Sequence, residues 1–538
     1  MSPVFRFRPR EFSPRPGPRA PASTVTNRRR ARASLLGALA AAAALAGCAV
    51  GPNYRRPPAP TPMAFKEAEG WKQAAPSDAL DRGAWWTVFN DSVLDGLEQQ
   101  AAVANQSIIQ AAANYEQSRQ LARADRATFF PTFSVSGSGQ RAKSGNGRSV
   151  VTPAASSSTS GSTGTGSTGS TGTSLSVSPS SSGPTNSFSA SAGASWVLDF
   201  WGRIRRQTES DVAAAQASAA DLANARLSIQ ASVAQTYLQL RIADERVRLR
   251  QNAVNAYQRT LQIAQNKYRV GIVARSDVAS AQAQLDAARA QLIDAGIQRA
   301  QLEHALAVLV GKAPGDFTVA VLPSLALTSP AIPAGLPSEL LERRPDVASA
   351  ERSVAAANAR VGVQTAAYFP QVTLSADGGF SGSELNRLFR TPNRFWSVGA
   401  NLSDTLFDFG RRRAELLSAR AAYDAQVAAY RGTVLRAFQQ VEDNLIGYRE
   451  LETEAQVQQA AVNEAAEAAR IAMNEYEAGT VDYTTVATAQ VNEINNRQTA
   501  LTVIQNRMNA AVALIEALGG GWRQSDLPAS HAVLARHP

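Results

Sequence analysis

Four short segments of the chain alternate apolar and polar residues, which predicts strands with one apolar face. SFSASAGASWVL places Phe188, Trp196 and Leu198 on one side and serines on the other, and TFSVSG, QVTLSAD and FWSVGANLSD alternate similarly. Strands of about 9–11 residues with this pattern are typical of transmembrane barrels. Four strands are too few for the smallest such barrel, of about eight, so protomers would have to share it. A half-buried sheet in a soluble domain is the alternative.

The segments between these strands carry apolar residues at heptad spacing, which predicts helices that pack side by side. Neither glycine nor proline occurs between Gly202 and Gly271, or between Gly479 and Gly519. A continuous helix over the first of these stretches would be roughly 100 Å long. The heptad positions are interpreted as packing positions without chemistry. They are Leu222, Ile229, Val233, Leu240, Val278, Leu285, Leu292, Ile494, Leu501, Ile504, Met508, Ala511, Ile515 and Leu518.

The chain uses one sequence pattern twice. NKYRVGIVARSDVASAQ begins at Asn266, and NEYEAGTVDYTTVATAQ begins 208 positions later at Asn474. DFWGRIRR resembles DFGRRRAE, and ATFFPTFSVSGSG resembles AAYFPQVTLSADGG. These pairs predict two internal structural repeats. The first repeat is longer because it contains a Ser/Thr/Gly-rich insertion in residues 141–187, which is too polar to pack and is predicted to be a disordered loop.

The formal net charge of +10 is concentrated at the N-terminus. Residues 1–47 hold nine arginines and one acid, so the rest of the chain carries only +2. This distribution does not support a nucleic-acid partner, which would need a basic face on the folded part. The apolar run SLLGALAAAAALA follows a basic stretch and is shorter than the about 20 residues that span a membrane. Residues 1–47 are therefore predicted to be a signal peptide.

Cys48 is the single cysteine, and it directly follows Leu-Ala-Gly at the end of the apolar run. This arrangement resembles the bacterial lipobox, in which the cysteine is acylated and becomes the first residue of the mature protein. A free thiol or an intermolecular disulfide is the alternative. Several acyl chains would anchor the protein firmly, whereas one chain does so only marginally. Ala49 follows where inner-membrane lipoproteins commonly have aspartate, which favours the outer membrane.

The sequence does not indicate an enzyme. His304 lies on a heptad helix, and His531 and His537 lie in the C-terminal tail, so a Cys/His metal cluster is excluded. GKAPGD, which begins at Gly311, lacks the spacing of a phosphate-binding loop. Neither a metal nor a catalytic group is expected.

Three stretches of the mature chain resemble one family. They are CAVGPNYRRP from Cys48, WWTVFNDSVLDGLEQQA from Trp85 and, most specifically, GLPSELLERRPDVASAERSVAAANARVGVQTAAYFP from Gly335. The family is that of the TolC-like outer membrane factors, the outer-membrane channels of tripartite efflux pumps, and within it the lipoprotein branch. The resemblance implies a mixed α/β membrane protein. In it, a homotrimer forms a 12-stranded β-barrel, with four strands per protomer, that continues as a long α-helical coiled-coil barrel in the periplasm.

The resemblance also implies a function and partners. The chain would be a passive exit duct for small molecules such as drugs, which an inner-membrane RND-type transporter expels through a periplasmic adaptor protein. No cofactor is implied besides covalent lipid on Cys48, as N-palmitoyl and S-diacylglycerol groups in contact with outer-membrane lipid. The alternatives are an outer-membrane conduit for type I protein secretion and a structural coiled-coil envelope lipoprotein. The last would not need four amphipathic strands.

We predict six segments from these observations. They are a signal peptide (1–47), a lipidated N-terminal segment (48–90), a first repeat (91–310), an equatorial linker (311–337), a second repeat (338–518) and a C-terminal tail (519–538). The linker and the tail are expected to form a belt around the middle of the helical tunnel, as the resemblance implies.

The resemblance assigns the two repeated turns to the periplasmic tip of the tunnel. Gly271 and Gly479 would reverse the chain there, because glycine adopts positive φ without steric cost. Tyr268 and Tyr476 lie about one turn before these glycines.

Asp277 lies six residues after Gly271 and resembles a family acid near the closed end of the tunnel. Threefold symmetry would make it a ring of carboxylates, which favours cations. The corresponding residue of the second repeat is Thr485, and Asp482 and Thr488 are further gate candidates beside it. The alternative is that Asp277 only caps or solvates its helix.

Overall fold

The computed structural model describes residues 49–62, 64–67, 84–143, 184–322 and 342–535. Its helices are α1 (Ser92–Ala104), α2 (Gln106–Ala127), α3 (Arg203–Arg269), α4 (Arg275–Leu309), α5 (Pro345–Ala366), α6 (Arg411–Ala478), α7 (Tyr483–Ala517) and α8 (Ser530–Leu534). Its strands are β1 (Thr132–Ala142), β2 (Thr185–Leu198), β3 (Gln371–Gly382) and β4 (Arg394–Ser403). In these ranges, none of the helices has both the length and the apolar character required to cross a membrane.

Several predicted features lie outside the described residues. They are the signal peptide, the lipidation site Cys48, most of the Ser/Thr/Gly-rich insertion and residues 323–337 of the equatorial linker.

The same order of elements occurs in both halves of the chain. From α2 to α4 there are a 22-residue helix, two strands, a 67-residue helix and a 35-residue helix. From α5 to α7 the corresponding helices have 22, 68 and 35 residues. The predicted continuity of α3 is confirmed, and its length is roughly 100 Å. Helix α6 is equally continuous although it contains Gly432 and Gly447, because packing against neighbouring helices outweighs local propensity.

The four strands form one antiparallel sheet in the order β1-β2-β3-β4. Ala194 pairs with Phe133 on one side and with Ala376 on the other, and Ala376 pairs in turn with Val398. The register therefore confirms that the apolar sides predicted for the separate strands coincide on one face of the sheet. Within the protomer this face is uncovered, since Trp396 and Val398 are 74% and 75% exposed.

All four strands meet the helices at the same end of the sheet. Thr132, the first residue of β1, pairs with Ser195 near the end of β2, and Gln371, the first residue of β3, pairs with Ser403, the last of β4. We call this end of the sheet, together with the first turns of α3 and α6, the sheet–helix junction. Residues 383–393 connect β3 and β4 at the opposite end of the strands.

Apolar side chains of the helices form two large buried clusters. The larger surrounds Trp85 and Leu240 and joins α1, α3, α6 and α7. The smaller surrounds Leu285 and Tyr476 and joins α3, α4, α6 and α7 close to the turns. The heptad positions Leu240, Leu285 and Met508 are at most 2% exposed, which confirms their role in packing.

Residues 49–67, as far as they are described, run along α3, α5 and α6, and we call them the N-terminal strap. The N–H of Val50 donates to the carbonyl of Trp201 at 3.1 Å. The buried guanidinium of Arg206 donates to the Val50 carbonyl at 3.3 Å. At the far end, the N–H groups of residues 66 and 67 donate to the Glu442 carboxylate at 2.8 and 3.0 Å. The strap thus connects the sheet–helix junction to the middle of α6.

The strap approaches α5 most closely at a pair of glycines. Gly51 has a φ of +97°, and a Cβ on it would lie 2.6 Å from the Cα of Gly362. Such a distance between backbone atoms cannot be relieved by side-chain rotation. The strap can therefore pack here only because Gly51 lacks a side chain, whereas a Cβ on Gly362 would meet the Arg206 side chain at 2.9 Å.

The described part of the C-terminal tail returns along α2 and α3. Val533 is fully buried against Ala122 and Val212. The side-chain amide of Gln216 donates to the Pro528 carbonyl at 2.9 Å. The strap and the described part of the tail thus pack on the surface of the helical bundle.

We expect Gly51→Ala to displace the strap from α5 and to lower the free energy of unfolding by about 1–3 kcal/mol, because it combines positive φ with a backbone clash. Thermal unfolding and limited proteolysis of the purified protein measure both effects. Gly96→Ala is the matched control, since Gly96 lies in α1 with open space around its Cβ position. Equal proteolysis of the strap in both variants would contradict this role of Gly51.

Candidate functional site

Both long helical hairpins reverse at a glycine with positive φ, +79° at Gly271 and +84° at Gly479. The N–H of Gly271 donates to the Tyr268 carbonyl, and the N–H of Ile272 donates to the Lys267 carbonyl, both at 2.9 Å. The second turn has the same two bonds at 3.1 and 2.9 Å. This pair of bonds is the Schellman arrangement, which requires a left-handed residue. We call residues 266–277 and 474–488 the hairpin end.

The two predicted tyrosines differ in environment. Tyr268 is 47% exposed, whereas Tyr476 is 1% exposed. The ring of Tyr476 packs edge-on against Tyr483 at a centroid distance of 6.2 Å. The Lys267 ammonium lies 4.3 Å from the Tyr476 ring centroid and donates to the Tyr476 carbonyl. Lys267 therefore connects the first hairpin to the second by a cation–π contact and a hydrogen bond.

Asp482, Thr485 and Thr488 lie together at the start of α7, and their polar atoms are used within that helix. The Asp482 carboxylate accepts from the N–H of Thr485 at 3.0 Å and from its hydroxyl at 2.7 Å, as an N-terminal cap. These bonds hold the pKa of Asp482 below its ordinary value. The Thr488 hydroxyl donates to the Thr484 carbonyl at 2.8 Å.

Asp277 is half-buried in the first turn of α4. The N-cap residue of that helix, Ala274, makes no side-chain capping bond, and Asp277 lies in the first turn. Whether Asp277 acts at the gate or only caps or solvates its helix stays a prediction. Burial, and secondarily the Asp277 carboxylate, raises the pKa of Tyr476. Burial first, and then nearby groups that include Asp277, raise the pKa of Tyr483 to about 12. Asp277 thus lies near the buried tyrosines.

The two turns have the same backbone hydrogen bonds, but their side chains differ in charge and aromatic character at corresponding positions. Lys267 corresponds to Glu475, and Arg275 corresponds to Tyr483, each 208 positions apart. Neither Lys267 nor Tyr483 was identified as a site residue from the sequence. The signal available was the difference between the two copies at otherwise matching positions.

One buried polar contact was also not predicted from the sequence. The Gln490 side-chain amide donates to the Thr260 hydroxyl at 3.1 Å and thereby connects α7 to α3. Gln490 closes the repeated sequence pattern, and its counterpart Gln282 instead donates to exposed Asp286 at 2.9 Å. Equivalent glutamines therefore have different partners.

An open groove of about 690 Å³ lies between α6 and α7 at the hairpin end. Small side chains line it, among them Ala468, Thr485 and Ala489, together with Glu464 and Asp482. The groove is open to its surroundings. A cluster of three or more metal-ligating acids, histidines or cysteines does not occur among the described residues.

An amphipathic four-stranded sheet continued by two helical hairpins of roughly 100 Å defines the class of TolC-like outer-membrane channel proteins. The sequence pattern of the outer membrane efflux protein family matches residues 97–312 and 336–520. The chain belongs to this family, and it is an outer-membrane protein.

The similarity extends over nearly the whole chain. The probable efflux pump outer membrane protein TtgC of Pseudomonas putida is 29% identical over 510 residues, which cover 94% of this chain and 99% of TtgC. The pyoverdine export outer membrane protein OpmQ of Pseudomonas aeruginosa is 31% identical, over 87% of this chain and 94% of OpmQ. The solved structure of the outer-membrane channel OprN has a TM-score of 0.76 at 28% identity, over 88% of this chain and all of that chain.

We expect Asp482→Ala to accelerate hydrogen exchange in the first turn of α7 roughly fivefold, because the cap is lost. Asp482→Asn, which keeps an acceptor, should exchange nearly as the parent does. Because folding lowers the pKa of Asp482, the ionised cap stabilises the helix fully at a pH above the unfolded-state pKa. This stabilisation is lost as the pH falls through the folded-state pKa. Hydrogen exchange is measured as a function of pH. Equal exchange rates of the Ala variant and the parent at neutral pH would contradict the capping role of Asp482.

Proposed function

We propose that the chain is the outer-membrane exit duct of a tripartite efflux system, a passive conduit for small molecules such as drugs. The observation that carries this function is the continuity of the uncovered amphipathic sheet with two long helical hairpins. The sheet would span the membrane and the hairpins would cross the periplasm. A relative named for an efflux pump and one named for pyoverdine export favour a small-molecule cargo. Catalysis has no part in this function.

Three protomers would complete the channel. The edge strands β1 and β4 each have one neighbour in the protomer, so each leaves a row of backbone donors and acceptors unpaired. Joining β4 of one protomer to β1 of the next pairs those groups, and three copies give a closed 12-stranded barrel. The repeated order of elements supports two internal repeats per protomer, and thus four long helical segments for each third of the tunnel.

Covalent lipid on Cys48 would anchor the protein at the membrane border. Ala49, the next residue, lies against Gly202 at the sheet–helix junction, so the anchor would begin at the depth where the strands end. N-palmitoyl and S-diacylglycerol groups at this depth would enter the same leaflet that the base of the sheet crosses. The strap would then transmit that attachment to α6.

The hairpin end would face the periplasmic adaptor, and through it an inner-membrane RND-type transporter. The groove between α6 and α7 is suited to an adaptor helix, because small side chains allow close approach. Asp277, near the buried tyrosines, would form a ring of three carboxylates at the tunnel entrance, with Tyr268, Gly271, Tyr476 and Gly479 shaping the turns. Asp482, Thr485 and Thr488 would contribute less to the gate, since their polar atoms are already bonded.

The function is tested by deleting the gene in its host and measuring dye and drug accumulation with the transporter energised. We expect severalfold higher accumulation, restored by the wild-type gene. Secreted proteins in the medium are measured in parallel, because protein export is the alternative function. Unchanged accumulation together with loss of one secreted protein would favour type I secretion instead.

Asp277→Ala should shift the reversal potential of the purified channel toward zero in a planar-bilayer salt gradient, because a ring of carboxylates at a constriction favours cations. Asp482→Ala is the matched control and should change the reversal potential less, since its carboxylate is engaged as a helix cap. A reversal potential unaffected by Asp277→Ala would remove this residue from the gate.

A further inference from the structure

The sheet–helix junction carries exposed apolar side chains just beyond the apolar face of the sheet. Phe407 is 88% exposed and Phe409 is fully exposed, and Leu406 and Phe130 are exposed at the same end of the sheet. Phe409 has a φ of +51°, one of two positive values at non-glycine residues in the described ranges. A bulky residue in this conformation is strained, yet its ring makes no use of the protein interior. The junction therefore presents aromatic side chains to its surroundings.

Exposed arginines lie at the starts of both long helices, and Arg411 follows Phe409 after a single glycine. Arg203 and Arg205 lie in the first turn of α3, and Arg411 and Arg413 lie in the first turn of α6. Cations at a helix N-terminus oppose the helix dipole, so helix formation does not explain them. The Arg411 side chain is 78% exposed, and its contact with Glu415 is long, at 3.5 Å.

The neighbouring charges, in contrast, serve the fold. Arg206 holds the strap, and Arg412 binds the Asp408 carboxylate at 2.7 Å. Asp199 accepts from the N–H groups of Ile204 and the following residue at 3.0 and 2.9 Å. The carboxylates of Asp199 and Asp408 are thus engaged with backbone N–H groups and with Arg412, whereas the side chains of Arg203 and Arg411 are exposed.

The strap distinguishes the two sides of α3 on which the exposed arginines lie. Arg203 precedes Arg206 by three residues, so both lie on the side of α3 along which the strap runs. Arg205 lies only two residues from Arg203 and therefore points to a different side of the helix. Arg411 occupies the position in α6 that corresponds to Arg203, and Arg413 the one that corresponds to Arg205.

We infer that Arg203 and Arg411 bind the phosphate groups of anionic phospholipids in the periplasmic leaflet of the outer membrane, with Phe407 and Phe409 inserted at the acyl-chain border. This inference rests on the proposed function, because it uses the membrane position of the junction and the lipid anchor that would precede Ala49. The guanidinium group matches phosphate with two parallel hydrogen bonds. Aromatic rings beside basic residues are typical of the membrane–water interface, whereas a soluble phosphate would not need them.

The test uses the full-length lipoprotein reconstituted in phosphatidylcholine vesicles that contain roughly one fifth phosphatidylglycerol. After extraction in mild detergent, mass spectrometry counts both lipids retained per protein chain. We expect the wild type to enrich phosphatidylglycerol, and Arg203→Gln with Arg411→Gln to reduce this enrichment about tenfold. Raising the salt to about 0.5 M should also weaken it, because the attraction is electrostatic.

Arg205→Gln with Arg413→Gln is the matched control, with the same loss of charge in the same helical turns. It should keep the enrichment within about twofold of the wild type. Equal losses in the two double variants would overturn the assignment to Arg203 and Arg411, since net charge alone would then decide. Displacement of the lipid by inorganic phosphate would overturn the assignment of phospholipid as the ligand and would favour a soluble anion.

Conductance of the same samples separates this inference from the proposed function. Both double variants should conduct as the wild type does, because neither pair is assigned to the gate. A wild type that conducts but does not enrich phosphatidylglycerol would overturn the inference alone. A wild type that does not conduct would overturn the channel itself.

Discussion

The positions at which the long helices begin and end control the rest of this structure, and glycines with positive φ occupy those positions. They are Gly202, Gly271 and Gly311 in the first half and Gly410, Gly479 and Gly519 in the second, each pair 208 positions apart. Equal intervals give the two hairpins equal lengths, so their apolar rows meet at the same height. One inserted residue would rotate the following side chains by about 100° and would move an apolar row out of its contact.

At these matching positions the two turns have different stabilising contacts. The second turn has a capping carboxylate at Asp482 and the buried rings of Tyr476 and Tyr483. The first turn has no side-chain cap on α4, and Tyr268 is exposed beside it. Lys267 joins the two turns through the Tyr476 ring and carbonyl. The two turns of the hairpin end are thus joined by a direct contact.

The sheet–helix junction has a different role, because it brings together the features that would fix the protein relative to a membrane in the proposed channel. The apolar sheet face ends there, the strap begins there, and the exposed aromatic and basic residues surround it. Arg206 lies at the centre of this arrangement, since its guanidinium binds strap carbonyls while its helix starts directly below β2. The strap and the start of α3 below β2 are therefore coupled through this side chain and through the backbone bond from Val50 to Trp201.

The sequence by itself determined the strands and their apolar faces, the continuity of α3, the heptad packing positions and the glycine turns. Each of these follows from local conformational preference or from a period of 2 or 3.5 residues, which neighbouring positions reveal. The cap at Asp482 was also readable in principle, because Thr485 lies three residues later. Only the tertiary structure decided that Tyr476 is buried while Tyr268 is exposed, that Gln490 reaches Thr260, and that the strap packs Gly51 against Gly362. These contacts join residues more than 200 positions apart in the chain, and they depend on the relative height and rotation of helices, which no local pattern encodes.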